Sequence, residues 1–278
     1  MTSETRTALL TDAHFDTVAA MMYARTGIVL ETAKKPMVQS RLAKRLRATG
    51  LLNFSEYLKS VEDAEGEEFG QMLSALTTNV TRFFREPHHF DYLIGEYRTK
   101  LEARLKQSEP LRIWSAGCST GEEPYSIAGL LLNEFGPQSN FRILATDIDP
   151  QVVERARTGI YSPIDPASAF GRVNKTLFGN DVGLSSGTVS SNVRKHIVFG
   201  TLNLISDWPM TKQFDLIFCR NVVIYFDAAI QARLWPRFQA TLKPDGLLFL
   251  GHSERLDDPH QLGFAAVGTT IYKSNSRG

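Results

Sequence analysis

From Leu111 onward the chain alternates short apolar runs with amphipathic helical stretches, and this alternation leaves few architectures open. Apolar runs at 111–116, 141–146, 214–219 and 246–251 read as strands. Helical patterns at 122–135, from near Pro150 to Gly159, and at 228–242 lie between them. A strand followed by a helix and another strand implies a parallel sheet covered by helices, because the crossover is long enough to return the chain in the same direction. The end of the chain, 264–273 with Gly268 inside it, reads as one or two further strands. Residues 160–191 do not fit. They are rich in Gly, Ser, Asn and Pro, and include Gly183-Leu-Ser-Ser-Gly187, the mark of an inserted, turn-rich excursion such as a small antiparallel ribbon.

The first ninety residues follow a different period. Phe15, Val18, Ala19, Met22 and Tyr23 form one apolar helix face, which Gly27 can end. Met37, Val38, Leu42 and Leu46 form a second stripe ended by Gly50, on a helix whose other faces carry Lys34, Lys35, Arg41, Lys44, Arg45 and Arg47. Asn53 with Glu56 predicts a capping box opening a third helix, and residues 67–77 supply a fourth. After Pro87 the pattern predicts a single helix to about Lys106. A small helical domain therefore precedes the α/β part.

Composition narrows the partners. Net charge is +1, so no global field favours nucleic acid or an anionic membrane. Residues 1–10 are polar, unlike a secretory leader, and no apolar run reaches the ~18–20 residues of a bilayer span. Cys118 and Cys219 lack metal-ligand spacing, and no metal site is expected. Adjacent His88 and His89 on a helix are not expected to face one another as a metal pair. A cytoplasmic location follows as the expectation, and no homo-oligomer signal is visible, so a monomer is expected.

The turn SAGCSTGEEP at 115–124 joins the first strand to its helix. Gly117 and Gly121 would let backbone approach a ligand at the carboxyl end of the sheet, where open α/β folds bind ligands. A phosphate loop would need the lysine of G-x-x-x-x-G-K-[ST], which is absent. A dinucleotide would put its pyrophosphate at the helix N-terminus, and Glu122 and Glu123 stand there instead. Two carboxylates favour a ligand bearing ammonium or sulfonium charge and no phosphate, a description that S-adenosylmethionine fits. The second strand ends in ATDIDP at 145–150. Asp147 stands where such folds bind ribose hydroxyls, and Asp149 before Pro150 suits a helix N-cap.

These stretches resemble the chemotaxis receptor glutamate methyltransferases of the CheR type. The resemblance rests on TNVTRFFREPHHF (78–90), 115–124, 145–150, FDLIFCRNVVIYFD (214–227) and LKPDGLLFLGHSE (242–254), which occur in the family's order. It implies a doubly wound, Rossmann-like methyltransferase domain at 87–278 with a small antiparallel β subdomain inserted at about 160–200. A helical domain and interdomain segment would occupy 1–86. It implies S-adenosyl-L-methionine as cofactor, S-adenosyl-L-homocysteine as product, and receptor glutamates as acceptors in chemotactic adaptation. Carried over residue by residue, Asn79, Thr81, Arg85, Gly117, Glu123, Asp147, Asn203, Leu204, Arg220 and Asn221 would form the cofactor pocket, Glu122 remaining an alternative to Glu123. Arg85 and Tyr225 would handle the substrate carboxylate.

A glutamate carboxylate, with a reference pKa of ~4.3, is already ionised at neutral pH, so methyl transfer to it needs no general base. Positioning and exclusion of water would carry catalysis. Arg85 would hold one carboxylate oxygen while the other attacks, and Tyr225 would donate a hydrogen bond or set its ring near the sulfonium. The basic helix is either a solvated face or a dock for the acidic helical bundle of a receptor. Some members of the family also tether a receptor's C-terminal peptide at the β subdomain, and 179–193 is where such a loop would lie. The rival functions are methylation of another protein or a small carboxylic acid, and a non-catalytic, cofactor-binding adaptor.

Overall fold

A computed structural model describes residues 9–63, 67–179 and 186–275. The chain divides into two compact units. One comprises the N-terminal residues through Thr78 together with Tyr225–Asp227, and the other the remainder.

The first unit is helical: α1 (Asp12–Thr26), α2 (Lys35–Thr49), α3 (Phe54–Asp63) and α4 (Glu67–Leu76). Thr11 caps α1 by accepting from the His14 N–H, and Gly27 and Gly50 end α1 and α2 in the left-handed conformation that glycine adopts without a Cβ penalty. Asn53 accepts from the Glu56 N–H, while the Glu56 carboxylate reaches back to the Leu52 N–H, one residue beyond the simple box. Val38, Leu42 and Leu46 on α2 are buried with Phe15, Val18 and Met22 of α1 and Met72, Leu73 and Leu76 of α4.

The strongly basic α2 is not uniformly solvated. Arg41 donates to the carbonyls of Ala75, Leu76 and Thr77, closing the C-terminus of α4 where cations complement the helix dipole. Arg45 grips Glu68 through two N–H bonds, and Tyr57 donates to the same carboxylate. Lys44 and Arg47 are exposed. The segment Tyr225–Asp227 is bound in this unit: the Val29 N–H donates to the Tyr225 carbonyl (2.9 Å), and Tyr23 Oη donates to Asp227 (2.7 Å).

The second unit holds a seven-stranded sheet in the order β5-β2-β1-β6-β7-β9-β8. Its strands are β1 (Leu111–Ala116), β2 (Phe141–Asp147), β5 (Ile197–Thr201), β6 (Phe214–Cys219), β7 (Leu242–Leu250), β8 (Phe264–Gly268) and β9 (Ile271–Ser274). The first five in spatial order run parallel, β9 is antiparallel to β7, and β8 is antiparallel to β9. Crossovers α7 (Glu122–Phe135), α8 (Pro150–Thr158) and α11 (Ala228–Thr241) make it doubly wound. β1 lies between β2 and β6, so the strand order reverses beside it, which is where open sheets leave a crevice. β1 and β6 are buried along almost their whole length, as expected of strands covered on both sides.

Between α8 and β5 the chain forms a two-stranded antiparallel ribbon, β3 (Ile160–Tyr161) and β4 (Gly187–Thr188), with α9 (Asn174–Phe178) and α10 (Ser191–Arg194). The inserted small antiparallel subdomain is therefore present. The 179–193 stretch considered for peptide capture includes residues 180–185, which lie outside the described residues, as does the polar start of the chain through residue 8. Tyr161, Phe170 and Phe178 of the insertion pack on Phe83 and Phe84, with Phe84 stacked on Phe170 at 4.2 Å.

Three local expectations change. The single helix after Pro87 is two, α5 (His88–Ile94) and α6 (Arg98–Leu105). They part at Gly95, where an added Cβ would lie 2.9 Å from the Asp91 carbonyl. Strand β7 begins at Leu242, which pairs with Phe214 across an irregularity, whereas Lys243-Pro-Asp-Gly246 reads as a plain turn. Strand β5 is an edge strand with Val198 exposed, too short and too one-sided to announce itself by periodicity.

Candidate functional site

The crevice at the carboxyl end of the sheet is built on the turn after β1. Gly117 and Gly121 have φ of 89° and 99°, and Ser119 is left-handed as well. The Gly117 and Cys118 N–H groups both donate to the Thr146 carbonyl, tying the ends of β1 and β2 together. The sequence predicts glycine there for ligand approach. The structure adds a packing reason: a Cβ on Gly117 would lie 2.2 Å from Val222 Cγ2, and one on Gly121 would lie 2.6 Å from Tyr161 Oη.

Asp147 and Asp149 divide their roles. Asp149 caps α8, accepting from the Gln151 N–H, and also accepts from Asn79 Nδ2 at 2.9 Å. Asp147 is buried at the end of β2 and accepts from the Ser119 N–H (2.8 Å) and the Asp149 N–H (3.0 Å). Burial pushes its carboxyl up, and the backbone donors offset part of that. Ser119 Oγ donates to the Asn79 carbonyl, so the stretch carrying Asn79 and half-buried Thr81 is fastened to the turn.

Charge is concentrated around Arg220. Its side chain is 2% exposed and lies 3.0 Å from Glu123 Oε2 and 3.3 Å from Glu86 Oε2, while also donating to the Arg85 carbonyl. Glu123, in the first turn of α7, further accepts from Ser115 Oγ at 2.7 Å. Glu122 takes the Thr120 hydroxyl on the turn itself. Glu86 Oε1 meets Asn221 Nδ2, the His252 N–H and His252 Nδ1. Burial alone would push the Glu86 carboxyl up; Arg220 and His252 reverse this and hold it down at about 2. Burial pushes Glu123 up, with Arg220 and Ser115 opposing.

The structure thus brings Asn79, Arg85, Gly117, Glu123, Asp147, Arg220 and Asn221 into one hydrogen-bonded framework. Leu202 donates to the Asp147 carbonyl, which joins Asn203 and buried Leu204 to it. Arg237 holds that loop from behind: it donates to the Leu204 and Ser206 carbonyls, and its guanidinium lies 4.1 Å from the centre of the Trp208 ring. Arg85 Nη1 donates to the Val80 carbonyl, and Arg85 forms no ion pair among the described residues. Tyr225 belongs to the helical unit, where Lys34 Nζ lies 5.8 Å from its ring centre.

Sequence reasoning missed Glu86 and Glu254, whose roles come from contacts with distant strand ends. The rings of His88 and His89, expected not to face one another, are 4.1 Å apart. They open α5 two residues after Glu86, a non-glycine residue at φ 56°. Ligand atoms of Glu86, His88 and His89 lie within 4.8 Å of one another. The cation beside them is Arg220, and burial together with that charge pushes buried His89 down to about 3. A second cation there would be repelled. Cys118 and Cys219 are buried, their thiols pushed well up by burial, and act as small packing groups.

A crevice at the strand-order reversal, with carboxylates at both strand ends and no lysine in its turn, suits a ligand with a ribose and an ammonium or sulfonium, not a phosphate. With the doubly wound sheet, this defines an S-adenosylmethionine-dependent methyltransferase. Residues 79–273 match the family described as "CheR methyltransferase, SAM binding domain", and 13–77 match "CheR methyltransferase, all-alpha domain". The chain is 41% identical to the probable chemotaxis protein methyltransferase of Rhizobium etli, covering 93% of this chain and 98% of that one. It is 40% identical to the chemotaxis protein methyltransferase of Escherichia coli K12 (95% and 91% covered) and 41% identical to chemotaxis protein methyltransferase 2 of Pseudomonas aeruginosa (93% and 91%). The chain belongs to the CheR methyltransferase family.

Proposed function

We propose that the chain methylates glutamate side chains in the cytoplasmic helical domain of chemoreceptors, producing glutamate methyl esters and S-adenosylhomocysteine. The bound cofactor supplies an electrophilic methyl group. Asp147 takes the ribose hydroxyls, and Glu123, oriented by Arg220 and Ser115, serves the amino-acid end with Asn79, Thr81, Asn203, Leu204 and Asn221 around it. Arg85 orients the acceptor carboxylate, and Tyr225 completes that task from the loop after β6.

The observation that carries this reading is the division of labour between neighbours. Glu86 is neutralised by Arg220, so the adjacent Arg85 guanidinium keeps its charge for a substrate carboxylate. No residue is needed as a base, because the acceptor is already anionic. Residues 1–86 act as the receptor-side domain with the interdomain segment, and 87–278 as the methyltransferase domain with its insertion at about 160–200. Exposed Lys44 and Arg47 on α2 face an acidic helical bundle. A receptor's C-terminal peptide adds to an edge of the β3–β4 ribbon. The protein works as a cytoplasmic monomer; no helix among the described residues is long and apolar enough to cross a membrane.

The test is incubation with tritiated S-adenosylmethionine and receptor-containing membranes from the same cell, followed by alkaline release of methanol. Base-labile label on a receptor-sized band is expected. Label confined to another protein or to a small carboxylic acid would overturn the acceptor assignment.

A further inference from the structure

Glu254 lies four residues past the end of β7 and is 3% exposed, yet no cation approaches it in an ion pair among the described residues. Its carboxylate instead meets backbone N–H groups. Oε2 accepts from Gly251 (2.6 Å) and Asn221 (2.8 Å), and Oε1 accepts from Val222 (2.8 Å) and Ile224 (3.3 Å). Three of these donors belong to the turn that follows β6. β6 and β7 are neighbouring parallel strands, with Cys219 opposite Leu250, so their turns emerge side by side and one can clasp the other. Gly251 leaves the room: a Cβ there would lie 2.7 Å from the Asn221 nitrogen and 2.8 Å from Glu254 Oε2.

The clasped turn reaches three parts of the crevice. Asn221 adopts φ 58°, a conformation unusual for a side-chain-bearing residue, and its amide reaches Glu86 next to Arg85. Arg220, which enters the turn, holds Glu123 and Glu86. Val222 Cγ2 fills the space over Gly117. Converging backbone N–H groups of this kind form an anion-binding concavity, here filled by the protein's own carboxylate.

We propose that Glu254 is a positioning residue for methyl transfer: it holds residues 220–224 in the one backbone conformation that presents Arg220 and Asn221 to the cofactor end of the crevice. Its place in catalysis and in cofactor binding rests on the site proposed above, while cofactor affinity can be measured apart from the receptor assignment. Glu254→Gln keeps the length but puts an NH2 group against N–H donors, so it can serve only one side of the clasp. Glu254→Asp keeps the charge but withdraws it by one methylene.

The experiment measures three quantities for wild type and both variants: S-adenosylhomocysteine affinity and stoichiometry by calorimetry, kcat per binding-competent molecule, and the KM for receptor membranes. Folded variants are expected to bind at unchanged stoichiometry with at least tenfold weaker affinity. Their kcat per competent molecule should fall at least tenfold, while the receptor KM stays within twofold. A purely structural role would lower the competent fraction and leave affinity and kcat per competent molecule intact, overturning the proposal. It is also overturned if neither variant folds. If wild type fails to label receptors, the function assignment falls, and the affinity measurement still decides Glu254.

Discussion

The helical unit and the strand ends of the α/β unit both concentrate charge, but they handle it differently. On α2 the half-buried cations are spent locally, Arg41 on the carbonyls ending α4 and Arg45 on Glu68, while Lys44 and Arg47 remain in water. At the strand ends Glu86, Glu123, Asp147, Arg220 and Glu254 are all mostly removed from solvent and hold one another or the backbone. Charge in water costs little and steers encounters; charge removed from water needs partners, and these fix geometry. The first suits docking on a partner, the second suits preorganisation for a reaction.

Four changes sharpen or break this contrast, beginning with the largest. Arg85→Ala should lower kcat for receptor methylation by about 10²-fold or more while leaving thermal unfolding unchanged, since its charge has no ion-pair partner among the described residues. Near-normal turnover would remove Arg85 from the chemistry. Arg220→Met should destabilise by about 3–5 kcal/mol, because Glu86 and Glu123 are left buried without their cation. A denaturant midpoint close to wild type would mean the strand-end charges are less constrained than their geometry implies.

Acid should act on the same cluster. Glu86 titrates lower folded (about 2) than unfolded (~4.3), so its stabilisation is complete above ~4.3 and is lost as pH falls towards 2. His89 titrates at about 3 folded against ~6.5 unfolded; the unfolded chain takes the proton first, and stability drops as pH falls from ~6.5 towards 3. His89→Gln should therefore remove a slope of at most about 1.4 kcal/mol per pH unit within that window. An unchanged slope in urea titrations at stepped pH would show that His89 is not held neutral. The smallest structural effect belongs to Lys44→Glu with Arg47→Glu: stability should stay within ~0.5 kcal/mol, while receptor methylation falls severalfold at low salt and converges on wild type at high salt. Salt-independent kinetics would assign α2 to the solvated surface alone.

Local signals in the sequence carried far because the elements they mark are local. Gly27 and Gly50 end helices in left-handed turns, Asp149 before Pro150 caps α8, and the apolar runs of β1 and β6 are strands over the residues that periodicity indicates. The lysine-free turn with Glu122 and Glu123, and Asp147 at the next strand end, were likewise legible, since ligand class depends on residue type at a strand-to-helix junction. The break at Gly95, the early start of β7 and the edge strand β5 were not, because each depends on what packs or pairs beside it.

The helical start, the doubly wound sheet and the chemistry the first turn admits follow from spacing and side-chain type. Which carboxylate meets which donor depends on how the folded elements pack. Glu86 to Asn221, Arg220 to Glu123 and Glu254 to the 221–224 backbone are pairings across 30 to 135 residues of chain. They exist because sheet order brings the ends of β1, β6 and β7 side by side, and strand order is a global outcome that no single stretch of sequence encodes.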